Sequence, residues 1–585
     1  MIRNMFESID NSNKPVLSPS LLGRYKTAIS CINVEHGIPC LYINRERQEG
    51  LAYLTYLTPN NCYADFAAAG YRLYSLPVFF GFNHLNENSG LDVFSKGIFD
   101  ADQPDFSGFD AEIARILQAC PDAYILPRIN VSLSRAWELS HPEELCRPYP
   151  DGTPGRASFA SDVWAAEVKR ELMLFIEHVL QSQYAPHIAG YQIAGGNTEE
   201  WLALDANGIS GGRAEQKYAQ YLQSNHKEAS DTAFYRFYSE LVAGRICEFA
   251  ALVKALTDRR VVVGSFYGYT LECPNRTSGH HALRRLLECD DVDFLCSPIS
   301  YSMTRALGRD HPYMTPFASI RLHGKLYFSE NDTRTHLSLP VNNMPWYNAP
   351  IWFGADKQTT KQAIVLHAAR ALINSHAAWW FDMWGGWFAD PDYMQLMQRL
   401  RDVFAQSQFL PRDPAAQVAV FVDEEIYASL QDTSVSAPVC SLIREALGTM
   451  GTPYDLYLAS DAEAVMSRYK AIISLKPDDS PLTDRLSALA YNMGKPHLEI
   501  RRENADISTS ELRSFLRKAG VFLWCTQDAV VYANQSYVCL HAVRDGVLVL
   551  NVPGSLDLED VFTRQKHPCE IECKAGESYL FQLVT

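Results

Sequence analysis

The chain has 585 residues, 47% of them hydrophobic and 21% charged, which suggests two to four globular domains with ample core. Its formal net charge of −16 argues against a nucleic-acid binder and fits a neutral ligand better than a polyanion. The opening stretch MIRNMFESIDNSNKPVLSPSLL has no apolar run after Arg3, no segment is long enough to span a bilayer, and the 14 cysteines form no CxxC pair. These features predict a cytoplasmic protein with no membrane partner, whose cysteines are mostly buried thiols.

From about residue 37 to 408, short apolar runs alternate with longer amphipathic stretches, the pattern of βα units and a parallel sheet. The strand candidates are GIPCLYINR (37–45), RLYSLPVFFGF (72–82), AYILPRINV (123–131), IAGYQIAGG (188–196), RVVVGSFYGY (260–269), VDFLCSPISY (292–301), GKLYFSEND (324–332) and AAWWFDMWGG (377–386). Helical patterns over 161–183, 233–256 and 359–375 lie between them. Eight strands with intervening helices fit a (β/α)₈ barrel over 1–410. The rival, a doubly wound open sheet, usually carries a Gly-rich phosphate loop after its first strand, and none occurs here. After FLPRDPAAQ the pattern restarts as a smaller, flavodoxin-like α/β domain over 411–530. A tail over 531–585 alternates apolar and polar residues between Gly and Asp turns and reads as a small antiparallel β domain.

Barrel chemistry sits at the C-terminal ends of the strands, so each strand can be asked what ends it. The fourth breaks into Gly195 and Gly196 and then presents Asn197, Thr198, Glu199, Glu200 and Trp201. The seventh delivers Glu330, Asn331 and Asp332 directly after an apolar run. Two carboxyls at one barrel mouth are what glycoside hydrolysis requires, one protonating the leaving oxygen and one attacking the anomeric carbon or activating water. Arg45 and Glu46 follow the first strand, Asn83 and His84 the second, and Arg128 and Asn130 lie on the third. Tyr267 and Tyr269 end the fifth, Tyr301 the sixth, and the eighth carries Trp379, Trp380, Trp384 and Trp387. Aromatic faces over sugar rings, with amide and guanidinium groups on the hydroxyls, suit a small saccharide or glycoside. The candidate sugar contacts are Arg45, Asn83, Arg128, Asn130, Asn197, Tyr267, Tyr301, Trp380 and Trp384. Arg45 and Arg128 read equally as ion-paired supports, and the tyrosines and tryptophans as partly core.

An acid/base Glu after the fourth strand and a nucleophile Glu after the seventh is the plan of clan A glycoside hydrolases. With its trailing α/β and β domains, the chain most resembles the family 42 β-galactosidases. The resemblance implies a retaining hydrolase of terminal β-glycosides, with Glu330 as nucleophile and no cofactor. That family usually has Asn directly before the acid/base Glu, whereas here Thr198 and Glu199 separate Asn197 from Glu200. An aromatic residue commonly follows the acid/base in the family, and Trp201 follows Glu200, which favours Glu200 with Glu199 as the alternative. The resemblance also implies a homo-oligomer, trimer or dimer, built through the α/β domain.

Other chemistries test poorly. There is no HExxH, adjacent His280 and His281 have the wrong spacing for one helical face, GISGG lacks the GxSxG elbow, and DADQPD is not a full calcium loop. No metal site is expected. Asp423, Glu424 and Glu425 read as surface of the second domain. The alternative from another class is a non-catalytic carbohydrate-binding or assembly protein on the same scaffold.

Overall fold

The computed structural model describes residues 27–56, 58–82, 96–148, 152, 154–196, 198–203, 212–301, 305–338, 356–431 and 433–585. Strands β1 (Ser30–Glu35) and β2 (Ile38–Ile43) form an antiparallel hairpin across His36 and Gly37. Both turn residues have positive φ, 51° and 78°, the two-residue geometry whose twist matches a hairpin. The short β3 (Glu46–Arg47) extends the edge of β2.

The next eight strands close in sequence order into a parallel barrel: β4 (Leu51–Thr55), β5 (Leu73–Phe79), β6 (Tyr124–Asn130), β7 (Gly190–Ala194), β8 (Val262–Phe266), β9 (Phe294–Pro298), β10 (Leu326–Asn331) and β11 (Ala377–Asp382). The ring shuts where β11 pairs with β4, Ala378 opposite Leu51. The long helices begin where their caps predict. Ser161 and Ser230 accept from Trp164 and Ala233 amides at the starts of Asp162–Gln181 and Asp231–Leu256, and Asp356 forms a capping box with Thr359 ahead of Lys357–Asn374.

One expectation is corrected here. GIPCLYINR is not a barrel strand but β2 of the antiparallel sheet, and the first barrel strand is LAYLT, Leu51–Thr55. The turn at His36–Gly37 diverts β2 onto β1, and that sheet lies across the N-terminal end of the barrel. There the Ser30 hydroxyl accepts from the Val262 amide at 2.8 Å, and Asn44 donates to the Tyr124 hydroxyl at 3.1 Å. Arg45 therefore sits exposed in a turn at the end opposite the mouth, with φ of 72°, and is no sugar contact.

Beyond the barrel, β12 (Val418–Val422), β13 (Tyr454–Leu458), β14 (Ala471–Leu475) and β15 (His497–Ile500) form a parallel sheet in the order β13-β12-β14-β15, as a flavodoxin-like domain begins. The tail contributes β16 (Ala529–Ala533), β17 (Tyr537–Ala542), β18 (Gly546–Val549), β19 (Asp557–Asp560), β20 (Lys566–His567), β21 (Glu570–Cys573) and β22 (Ser578–Val584), arranged as antiparallel sheets of five and two strands. One apolar core runs through the barrel and the α/β domain, and a smaller one fills the tail.

Asp423 and Glu424 are buried, not surface. Asp423 accepts from the Ser480 hydroxyl at 2.6 Å, and Glu424 reaches the barrel, accepting from the amides of Leu283 and Arg284 at 2.6 and 3.0 Å. Burial pushes the Glu424 carboxyl up to about 8 against the pull of those amides. All 14 cysteines are free thiols, most of them buried. Among the described residues, no helix is long and apolar enough to cross a membrane.

Candidate active site

After β7 the chain makes a tight loop rather than an extended exit. The Gly195 amide donates to the Glu199 carbonyl at 3.1 Å, and the Trp201 amide donates to the Gly195 carbonyl at 2.8 Å. The Trp201 indole turns back under the loop, fully buried, and its N–H donates to the Ile193 carbonyl at 3.1 Å. A Cβ on Gly195 would meet that indole at 2.9 Å, and Gly196 has φ of +81°. The two glycines thus make room and supply a left-handed turn. Glu199 and Trp201 also have left-handed φ, +69° and +60°. Such backbone costs about 1–3 kcal/mol per residue and persists only where the surroundings over-determine it.

This loop points the adjacent carboxyls to different places. Glu199 is fully buried, takes a hydrogen bond from the Tyr56 hydroxyl, and lies 3.5 Å from the Arg128 guanidinium. Burial raises its carboxyl to about 7. Glu200 is half-buried and accepts from the Tyr269 hydroxyl at 3.1 Å. Burial first, and then the nearby Glu330, raise the Glu200 carboxyl to about 8.

Glu330 comes straight off β10 with no loop at all. Its Oε2 accepts from Arg128 Nη2 at 2.7 Å and from the Trp379 indole N–H at 3.0 Å. Burial raises this carboxyl above its ordinary value, with Arg128 and Trp379 opposing the rise. The Arg128 ion pair therefore does not bring this carboxyl below its ordinary value. Asp332 differs: burial would raise it, but Arg334 and Arg305 at 3.1 and 3.2 Å prevail and lower it.

Arg128 spans the floor of the site. Beside Glu330 and Glu199 it donates to the Tyr56 hydroxyl and the Gln192 amide oxygen, both at 3.2 Å, with its guanidinium over the Phe266 ring at 4.7 Å. It is the ion-paired support of the two readings, not a sugar contact. Asn130 is also spent internally: it donates to the Gly196 carbonyl and accepts from the amide and hydroxyl of Ser132. The Tyr267 hydroxyl donates to the carbonyls of Ser239 and Gly279, so this residue packs outward. Trp380 points outward too, its indole donating to Tyr71 at 3.1 Å, because the pleat sends neighbouring side chains to opposite faces. Trp379, the inward neighbour of Trp380, touches Glu330, and Tyr269, two residues beyond Tyr267 and past the end of β8, touches Glu200.

Tyr301 is half-buried and close enough to Glu200, Asp332 and Glu330 to feel their charge, with Arg305 over its ring at 4.9 Å. Trp384 is half-buried, in a loop that Asp382 ties down through the amides of Gly386 and Trp387, both at 3.0 Å. Its indole N–H has no partner among the described residues. Asn83 and Asn197 lie outside the described residues. Among those described, no group of three or more His, Cys, Asp or Glu could hold a metal ion.

The fold, a closed parallel barrel followed by a parallel α/β sheet and antiparallel sheets, is similar to that of solved GH42 β-galactosidases. A β-galactosidase from the psychrophilic Marinomonas ef1 aligns over 91% of this chain and 99% of its own, with TM-score 0.60 and 11% identity. A GH42 β-galactosidase from G. stearothermophilus aligns over 91% and 98%, with TM-score 0.61 and 11% identity. An exo-carrageenase GH42 from Bacteroides ovatus aligns over 96% and 86%, with TM-score 0.57 and 12% identity. No protein-family model and no curated protein sequence matches the chain.

Proposed function

We propose that the protein is a retaining glycoside hydrolase that cleaves a terminal β-glycoside, in the manner of a β-galactosidase. The observation that carries this reading is the unequal treatment of two carboxyls at one mouth. Glu330 is ion-paired to Arg128, whereas Glu200 is held by the neutral hydroxyls of Thr198 and Tyr269 and is raised to about 8. At neutral pH that leaves Glu330 as the anion and Glu200 as the acid.

Both structural bonds to Glu330 fall on Oε2, so Oε1 is the attacking oxygen. Its lone pair forms the bond to the anomeric carbon as the bond to the leaving oxygen breaks and Glu200 gives that oxygen its proton. Water then gives a proton to Glu200 and adds to the anomeric carbon, and Glu330 departs as the carboxylate. Formation of the glycosyl-enzyme removes the charge that helped raise Glu200, which prepares it to act as base. Glu199 supports from below, sharing Arg128 with the nucleophile. Tyr301 and Trp384 are the described candidates for sugar contact. A homo-oligomer, trimer or dimer, remains part of this reading.

The test is a screen against aryl β-glycosides, followed by trapping with the matching activated fluorosugar and peptide mapping. Label on Glu330 supports the assignment. Label on another carboxylate of an active protein removes it.

A further inference from the structure

His280 serves neither metal nor proton chemistry in the proposed reaction, yet it is fully buried beside the acid. Its Nδ1 lies 3.2 Å from the Tyr269 amide, which can only donate, so Nδ1 accepts and the ring proton sits on Nε2. That Nε2–H donates to the Glu200 carbonyl at 2.9 Å. One imidazole therefore holds the backbones of both Glu200 and Tyr269, and the Tyr269 hydroxyl closes the circuit on the Glu200 carboxyl at 3.1 Å. The ring itself is fixed by stacking on Tyr267, with centroids 4.7 Å apart and planes 15° apart.

The segment that carries His280 is gripped from outside the barrel. The next residue, His281, stacks on Tyr427 of the α/β domain at 4.3 Å. Glu424 of that domain caps the Leu283 and Arg284 amides, and the Ser436 hydroxyl donates to the Pro274 carbonyl at 2.5 Å. Glu200 stands between two left-handed residues, Glu199 and Trp201, and such backbone persists only where its surroundings over-determine it, so the grip adds to the loop's own hydrogen bonds.

We infer that His280 is a positioning residue for the general acid, and that the α/β domain holds His280 in place. This rests on the reading of Glu200 as the acid. A general acid works only within hydrogen-bond reach of the leaving oxygen, and a displacement of about 1 Å costs on the order of 10²-fold. In kcat/KM, which stops at the glycosyl-enzyme and excludes the later base step, the fault would show only where the leaving group needs a proton.

The test uses the full chain and phenyl, 4-nitrophenyl and 2,4-dinitrophenyl β-galactosides. His280→Ala should lower kcat/KM, which reports formation of the glycosyl-enzyme, by about 10²-fold on the phenyl substrate and by only a few-fold on the dinitrophenyl substrate. His280→Gln, which keeps a donor at the same reach, should recover part of the loss. Tyr427→Ala, far from the chemistry and suited to the case in which the His280 variants do not fold, should show the same leaving-group selectivity, weaker. Glu200→Ala is the reference. If it shows leaving-group selectivity while the folded His280 variants, or Tyr427→Ala in their place, slow all substrates alike or none, the inference is overturned. If Glu200→Ala shows no selectivity, the assignment of the acid falls, and the inference falls with it.

Discussion

The two strand ends that carry the carboxyls solve the same problem in opposite ways. At the end of β10 the strand does everything: Glu330 is in register opposite Trp379 of β11, and the inward face of the sheet delivers it onto Arg128. At the end of β7 the strand stops early, and a loop with left-handed residues on both sides of Glu200 sets the acid. A nucleophile has to be charged, immobile and paired, and regular structure supplies that. An acid has to be partly desolvated yet open to the leaving group, and here a strained loop held from outside does so.

The largest effect should come from the rigid end. Glu330→Gln should lower kcat/KM on the order of 10⁵-fold, measured with a dinitrophenyl glycoside to keep the acid out of the rate. Arg128→Met should follow. It strands Glu330 and Glu199 as buried carboxyls without their cation, and should cost about 3–5 kcal/mol in urea unfolding as well as most of the activity. A variant with native stability would show that the floor of the site does not depend on that ion pair.

The looped end should answer more selectively. Glu200→Ala should lose about 10²–10⁴-fold in kcat/KM on poor leaving groups and little on dinitrophenyl glycosides, whose kcat falls for want of the base and is restored by added azide as a β-glycosyl azide. If Glu199→Ala gives that pattern instead, the two neighbours exchange roles.

The smallest effect is on stability. The Glu200 carboxyl titrates near 8 when folded and near its ordinary value, about 4.3, when unfolded. The folded chain therefore binds more protons across that window. The stability tied to the protonated group is complete below the unfolded pKa and is lost as pH rises through the folded one. Glu200→Gln removes that loss, so its melting temperature should rise above wild type by about 2–4 °C at pH 8 and match it near pH 4. Equal melting temperatures at both pH values would show that the acid is not held under strain.

Sequence periodicity located seven of the eight barrel strands, because strands buried on both faces read as short continuous apolar runs. The exception has a physical origin: GIPCLYINR is as apolar as any barrel strand, and only the His36–Gly37 turn, a hairpin signal, marks it as antiparallel. The proposed catalytic glutamates were legible because a carboxylate directly after an apolar run is conspicuous. Their partners were less so. Trp380 was one residue out of phase with the inward face, where Trp379 stands, and Tyr267 lies two residues before Tyr269, the tyrosine past the end of β8 that reaches Glu200. Composition names the aromatic cluster, but parity within a pleat is set by pairing that the sequence does not display. Tyr56 and His280, which reach the site from loops after β4 and β8, carry no local signal at all.

The small sheet β1–β3 has a consequence for water and protons. It seals the N-terminal end of the barrel: Ser30 bridges the Val262 amide and the Ala189 carbonyl, and apolar Leu41 and Ile43 enter the core above it. On the proposed mechanism, the water that completes turnover and the protons that reset Glu200 would enter by the mouth the sugar takes, so an occupied mouth would also be a closed proton path. Deuterium exchange at the floor amides of β7 and β8 should stay slow whether or not a ligand is bound, while exchange around Glu200 should slow only when the mouth is filled.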